Sequence, residues 1–128
     1  MLPLPTSSTP LVRRAGPADL PALLGLIERC SDGTLYRRFH GSAAGPIRGW
    51  VEHIANPTEA HRSWVALAGG DVRGTATLAR GRDGSVEAAF LVEDAWFRRG
   101  IGRALFRALV IEARRHALTA VVATIQSD

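Results

Sequence analysis

The chain has 128 residues, 46% hydrophobic and 22% charged, which suits one globular domain and leaves no room for a second. All 16 basic residues are arginines, and with 12 acids they give a net charge of +4; the excess is split evenly between residues 1–64 and 65–128, so no basic tail or stripe points to nucleic acid. No apolar run reaches the ~18 residues needed to cross a bilayer, and the single cysteine, Cys30, excludes an internal disulfide and fits a reducing, cytoplasmic compartment.

Residues 1–10 hold three prolines and no basic residue, so they read as a flexible tail rather than a secretory signal, and residues 11–128 form the domain. Leu11-Val12-Arg13-Arg14 is a short strand. Pro17 suits the first position of a helix, where its missing N–H costs nothing, and Leu20, Leu23, Leu24 and Ile27 form one apolar helical face. Ser31-Asp32-Gly33 ends that helix and offers a cap for the next, Thr34 to His40. A third helix, Gly45 to Ala55, stops at Asn56-Pro57.

The period then changes. Ser63 to Ala68 is a strand, Gly69-Gly70-Asp71 a hairpin turn, and Val72 to Ala79 a second strand with Val72, Gly74, Ala76 and Leu78 on one face. A turn at Gly81-Arg82-Asp83-Gly84 leads to a third strand, Val86 to Val92. Residues 101–117 form the best helix, with Leu105, Phe106, Leu109, Val110 and Ala113 on its apolar side. Thr119 to Ile125 is a buried-type strand. The order β-α-α-α-β-β-β-α-β predicts an α/β fold with a mixed, mostly antiparallel central sheet flanked by helices, the last strand returning parallel by a right-handed crossover.

The chemistry concentrates where the Val86–Val92 strand runs through Glu93-Asp94-Ala95-Trp96-Phe97-Arg98-Arg99-Gly100 into the helix Ile101-Gly102-Arg103. Glycines let a ligand approach the backbone, and the unpaired first N–H groups of a helix favour phosphate. Arg98, Arg99 and Arg103 surround the turn. No Gly-Lys-Ser/Thr follows, which excludes a P-loop. Leu105 stands where a dinucleotide fingerprint needs its third glycine.

The run Val92-x-Asp94-x-Trp96-x-x-Arg99-Gly100-Ile101-Gly102-x-x-Leu105 resembles the acetyl-CoA-binding motif of the GNAT superfamily of N-acetyltransferases. Gly100 and Gly102 match the end of the family's Gln/Arg-x-x-Gly-x-Gly/Ala pattern, while its first position falls on Phe97. Val12-Arg13-x-Ala15-x-x-x-Asp19-Leu20 resembles the family's first strand and helix, and the likeness extends over residues 11–125. Ser31-x-x-Thr34-Leu35-Tyr36-Arg37-Arg38-Phe39, with Glu87, is similar to the bacterial branch that includes protein-lysine acetyltransferases.

The resemblance implies an acetyl-CoA-dependent N-acetyltransferase acting on a protein lysine or small amine, with acetyl-CoA as co-substrate. Phe97, Arg98, Arg99, Gly100, Ile101, Gly102 and Arg103 would hold the diphosphate, and a backbone N–H at Phe90 or Leu91, next to Val92, would polarise the thioester carbonyl. Glu87 would be the general base, its pKa raised by an otherwise apolar strand; strand alternation alone equally points it into solvent. Tyr36, Arg37 and Phe39 would line the acceptor cleft, or else pack the helix. Asp94 reads as a turn-shaping residue and Cys30 as an inert thiol. His40, His53, His61 and His116 show no metal-ligand spacing, so no metal is expected.

The family continues with a further helix and two strands, which this sequence, ending at Gln126-Ser127-Asp128, is expected to lack. The apolar edge of the last strand then predicts self-association or a marginal monomer. Two other readings stand beside transfer: a non-catalytic acyl-CoA-binding module, and a structural or nucleic-acid-binding domain.

Overall fold

The structure, a computed structural model, describes residues 9–39, 44–80, 86–115 and 122–124. Its elements follow the expected order: β1 (Leu11–Arg14), a 3-10 turn (Pro17–Asp19), α1 (Leu20–Arg29), α2 (Asp32–Phe39), α3 (Ala44–Ala55), β2 (His61–Ala68), β3 (Asp71–Arg80), β4 (Val86–Val92), a second 3-10 turn (Asp94–Trp96), α4 (Ile101–Arg115) and β5 (Val122–Thr124). The turn at 81–84, His40, His116, residues 1–8, 119–121 and 125 lie outside the described residues.

The five strands form one sheet in the order β1-β2-β3-β4-β5. Neighbours from β1 to β4 are antiparallel, and β5 is parallel to β4 through Glu87↔Val122, Ala88↔Ala123 and Ala89↔Thr124. A parallel return needs a crossover, and α4 supplies it.

The β1–α1 corner is closed by one carboxylate. Asp19 pairs with both terminal nitrogens of Arg13, at 2.9 and 2.7 Å, and accepts the Gly16 N–H at 2.8 Å. The hydrogen bonds from Arg13 hold the Asp19 carboxyl below the usual carboxylate range despite its burial. In α1 the buried stripe differs from the expected one. Leu23, Leu26 and Cys30 are buried, whereas Leu20, Leu24 and Ile27 pack at the margin.

Helices cover both faces of the sheet. On one, α4 sends Ile101, Leu105 and Leu109 onto Trp64, Ala66, Ala76, Leu78, Val86 and Ala88. The approach is closest at Gly74, where a Cβ would lie 2.7 Å from Ile101 Cγ2. On the other, Leu23 and Leu26 of α1 and Val51 and Ile54 of α3 pack on Val65, Val72 and Leu91.

Two expectations fail here. Val72 does not share a face with Gly74, because the register runs Ala66↔Gly74 and then Leu67↔Val72. Arg73 has no residue opposite it, and this bulge turns Val72 toward α1 and α3. Phe106 is 48% exposed, while Glu112 takes a buried position on α4, paired with Arg62 and, at 3.9 Å, with Arg14.

Candidate functional site

β4 does not end cleanly at Val92. The Glu93 N–H still reaches the Arg73 carbonyl at 2.8 Å, and the chain then makes the 3-10 turn Asp94–Trp96. Phe97 is extended; Arg98 and Gly100 take left-handed conformations, with φ of +63° and +85°. These two residues reverse the chain into α4, whose first bond runs from the Ala104 N–H to the Gly100 carbonyl at 3.0 Å. The N–H groups of Ile101, Gly102 and Arg103 therefore have no acceptor within the helix.

Nothing in the protein's own packing demands glycine at 102, since a Cβ there would meet nothing within 4 Å. A small residue at the second helical position leaves the amides open to an incoming group. Residues 97–103 contain three arginines and no acid, with Arg98, Arg99 and Gly100 exposed and Ile101 buried as the anchor. Bare N–H groups, helix dipole and arginines together suit a diphosphate.

The carboxylates just before the loop are engaged elsewhere. Glu93 is buried, 2.6 Å from Arg29 Nε and 3.2 Å from an Arg73 terminal nitrogen. Those arginines also donate to the Val72 and Ala68 carbonyls. Asp94 accepts the Ser31 N–H at 2.8 Å and the hydroxyls of Ser31 and Thr34 at 2.7 Å each. Partial burial raises its pKa, but the bonds from Ser31 and Thr34 outweigh this and leave the Asp94 carboxyl below its ordinary value. Ser31 meanwhile caps α2 by accepting the Thr34 N–H at 3.1 Å. Asp94 thus shapes the turn, and it does so by fastening the loop to the start of α2. The sequence held no local signal for the Arg29–Glu93 contact, whose partners lie 64 residues apart.

The remaining candidates lie along β4 and α2. Glu87 shares the α1–α3 face with Ala89 and Leu91, and it is exposed. Its neighbours across the sheet, Ala79 and Val122, are apolar as expected, but the exposed side chain is not enclosed by them. Phe90, Leu91 and Val92 pair with β3 on one side, and no described residue pairs with them on the β5 side. Tyr36 is 61% exposed rather than packed; the side chains of Arg37 and Phe39 lie outside the described residues. Cys30 is buried, and burial followed by the charges of Asp94 and Glu93 pushes its thiol up to about 12, which makes it inert. Among the described residues no group of three His, Cys, Asp or Glu side chains is placed to hold a metal, and no helix is long and apolar enough to cross a membrane.

Residues 32–128, 97 of the 128, match the Acetyltransferase (GNAT) family. The chain belongs to that family. Among solved structures it is similar to the GNAT domain of S. lividans PAT, with 22% identity and a TM-score of 0.74 over 96% of this chain and 80% of that one. A GCN5-related N-acetyltransferase from Kribbella flavida is 26% identical, with a TM-score of 0.65 over 88% of this chain and 69% of that one. The aminoglycoside N-acetyltransferase AAC(6')-Iy in complex with CoA is 16% identical, with a TM-score of 0.69 over 95% of this chain and 80% of that one. No curated protein sequence matches the chain significantly.

This GNAT protein is an acetyl-CoA-dependent N-acetyltransferase. Acetyl-CoA supplies an acetyl group on a thioester, and the open amides and arginines at the start of α4 fit its diphosphate.

Proposed function

We propose that the protein transfers acetyl from acetyl-CoA directly to a primary amine, of a protein lysine or a small molecule, with Glu87 as general base. The acceptor nitrogen forms a bond to the acetyl carbon, the carbon–sulfur bond breaks, and the free thiol of CoA leaves. Transfer needs the neutral amine. A lysine-type amine with a pKa near 10.4 is about 3.4 units from neutrality at pH 7, a cost of roughly 4.6 kcal/mol.

The observation that carries this reading is the juxtaposition on β4. The strand has Glu87 exposed near one end, while the backbone of Phe90–Val92 near the other faces no described strand on the β5 side. Glu87 and Phe90 are three residues apart, about 10 Å along a strand, so the proton reaches the carboxylate through water. A backbone N–H of Phe90 or Leu91 polarises the thioester carbonyl. Exposed Tyr36 on α2 lines the acceptor side. The protein is read as cytoplasmic.

Calorimetry with acetyl-CoA, paired with a thiol-release assay over a lysine peptide, a polyamine and an aminoglycoside, tests the reading. Binding with amine-dependent thiol release is expected. Binding without release from any amine would replace the transferase reading with that of a non-catalytic acyl-CoA-binding module.

A further inference from the structure

The loop before α4 carries one large side chain that the transfer chemistry does not use. Trp96 ends the 3-10 turn, two residues before the left-handed Arg98. Its ring lies against the β2–β3 hairpin turn, so that a Cβ on Gly69 would sit 3.3 Å from Trp96 Cζ2. Gly69 is itself left-handed, with φ of +59°, so bare backbone is what the ring rests on. Two guanidinium groups stack on this ring, Arg73 at 4.7 Å and Arg99 at 4.9 Å from its centroid.

The two arginines differ. The Arg73 side chain is 14% exposed and fixed at the bulge by the Ala68 carbonyl and Glu93. Arg99 is exposed and sits immediately before Gly100, where the open amides of α4 begin. An exposed arginine ordinarily samples many rotamers and loses that freedom on binding an anion. Stacking on a ring already held by the hairpin and by Arg73 removes much of that loss in advance. Phe97, between the ring and the glycines, brings no charge of its own.

We propose that Trp96 is a positioning residue for coenzyme binding: clamped on the β2–β3 turn and Arg73, it holds the Arg99 guanidinium ready to take a coenzyme phosphate beside the amides of Ile101–Arg103. This rests on the coenzyme diphosphate lying at the start of α4. The consequence is coupling. Arg99 contributes fully only while Trp96 holds it, so the two side chains act as one unit.

The test is a double-mutant cycle read by calorimetry with acetyl-CoA, with thermal unfolding of each unliganded variant as a check on folding. Trp96→Ala and Arg99→Gln are each expected to weaken binding about tenfold, and the double variant also about tenfold rather than about a hundredfold. Trp96→Phe, which keeps a ring face for both arginines, is expected to stay within about threefold of the parent. Gly102→Val tests the underlying site by filling the space over the amides. Loss of binding in Gly102→Val with an additive cycle, with no effect of Arg99→Gln, or with Trp96→Phe as weak as Trp96→Ala overturns the positioning role alone. Unchanged binding in Gly102→Val overturns the diphosphate placement and the role together. Arg99→Gln alters an exposed side chain, so that arm reads out even where Trp96→Ala does not fold.

Discussion

The two faces of the sheet are built from different chemistry. The α4 face is apolar over most of its area, with Trp64, Ala66, Ala76, Leu78, Val86 and Ala88 under Ile101, Leu105 and Leu109. The α1–α3 face carries a buried polar stripe. Ser63 and Thr77 share a 2.8 Å hydrogen bond, the Thr75 hydroxyl donates to the Trp64 carbonyl, and Glu93 lies between Arg29 and Arg73. Beyond the stripe, Glu87 is exposed. The contrast divides labour: the apolar face fixes where α4 begins, while on the polar face the buried hydroxyls tie strand to strand and the exposed carboxylate of Glu87 is the group proposed above as general base.

The sharpest way to break this division is to cut into the apolar face. Leu105→Ala removes a fully buried side chain and is expected to destabilise the fold by about 3 kcal/mol in denaturant unfolding. A loss below about 1 kcal/mol would show that α4 is not held by this core. Next comes Glu93→Gln, which leaves Arg29 and Arg73 without their carboxylate and is expected to cost about 2 kcal/mol by the same measurement. Ser63→Ala breaks one buried hydroxyl pair and is expected to cost about 1 kcal/mol. A ranking with Ser63→Ala above Leu105→Ala would reverse the account of the two faces.

The smallest effect concerns acid. Asp19 has a depressed folded-state pKa, caused first by its hydrogen bonds from Arg13. The unfolded chain binds its proton more readily, so the stabilisation is present above the ordinary Asp value near 3.9 and is lost as pH falls through the folded value. Asp19→Asn is expected to flatten the acid limb of stability against pH, measured between pH 5 and pH 2; an unchanged limb would contradict the assignment.

Much of this was legible in the sequence because it is local. The element order, the Gly69-Gly70 hairpin and the Gly100–Gly102 turn follow from periodicity and glycine placement, and Asp94 was recognisable as a turn residue. What escaped depends on contacts distant in sequence. The bulge at Arg73, which moves Val72 to the other face, is set by pairing with β2. Arg29, which pairs with Glu93, and Ser31 and Thr34, which hold Asp94, come from the end of α1 and the start of α2, 60 or more residues earlier. Glu87 was placed on the right strand, but composition alone does not say how open its side of the sheet is. Phe106 has the spacing of a core residue, while the position nearer β1 and β2 went to Glu112 because Arg14 and Arg62 face it there.

The claim that the polar face does the chemistry is tested most directly by Glu87→Gln, assayed by thiol release from acetyl-CoA at pH 7 with the amine that the parent protein accepts. Because Glu87 is exposed, the variant is expected to keep its stability to within about 0.5 kcal/mol and its affinity for acetyl-CoA, while kcat falls about a hundredfold. Full activity in a folded, acetyl-CoA-binding Glu87→Gln protein would contradict the account.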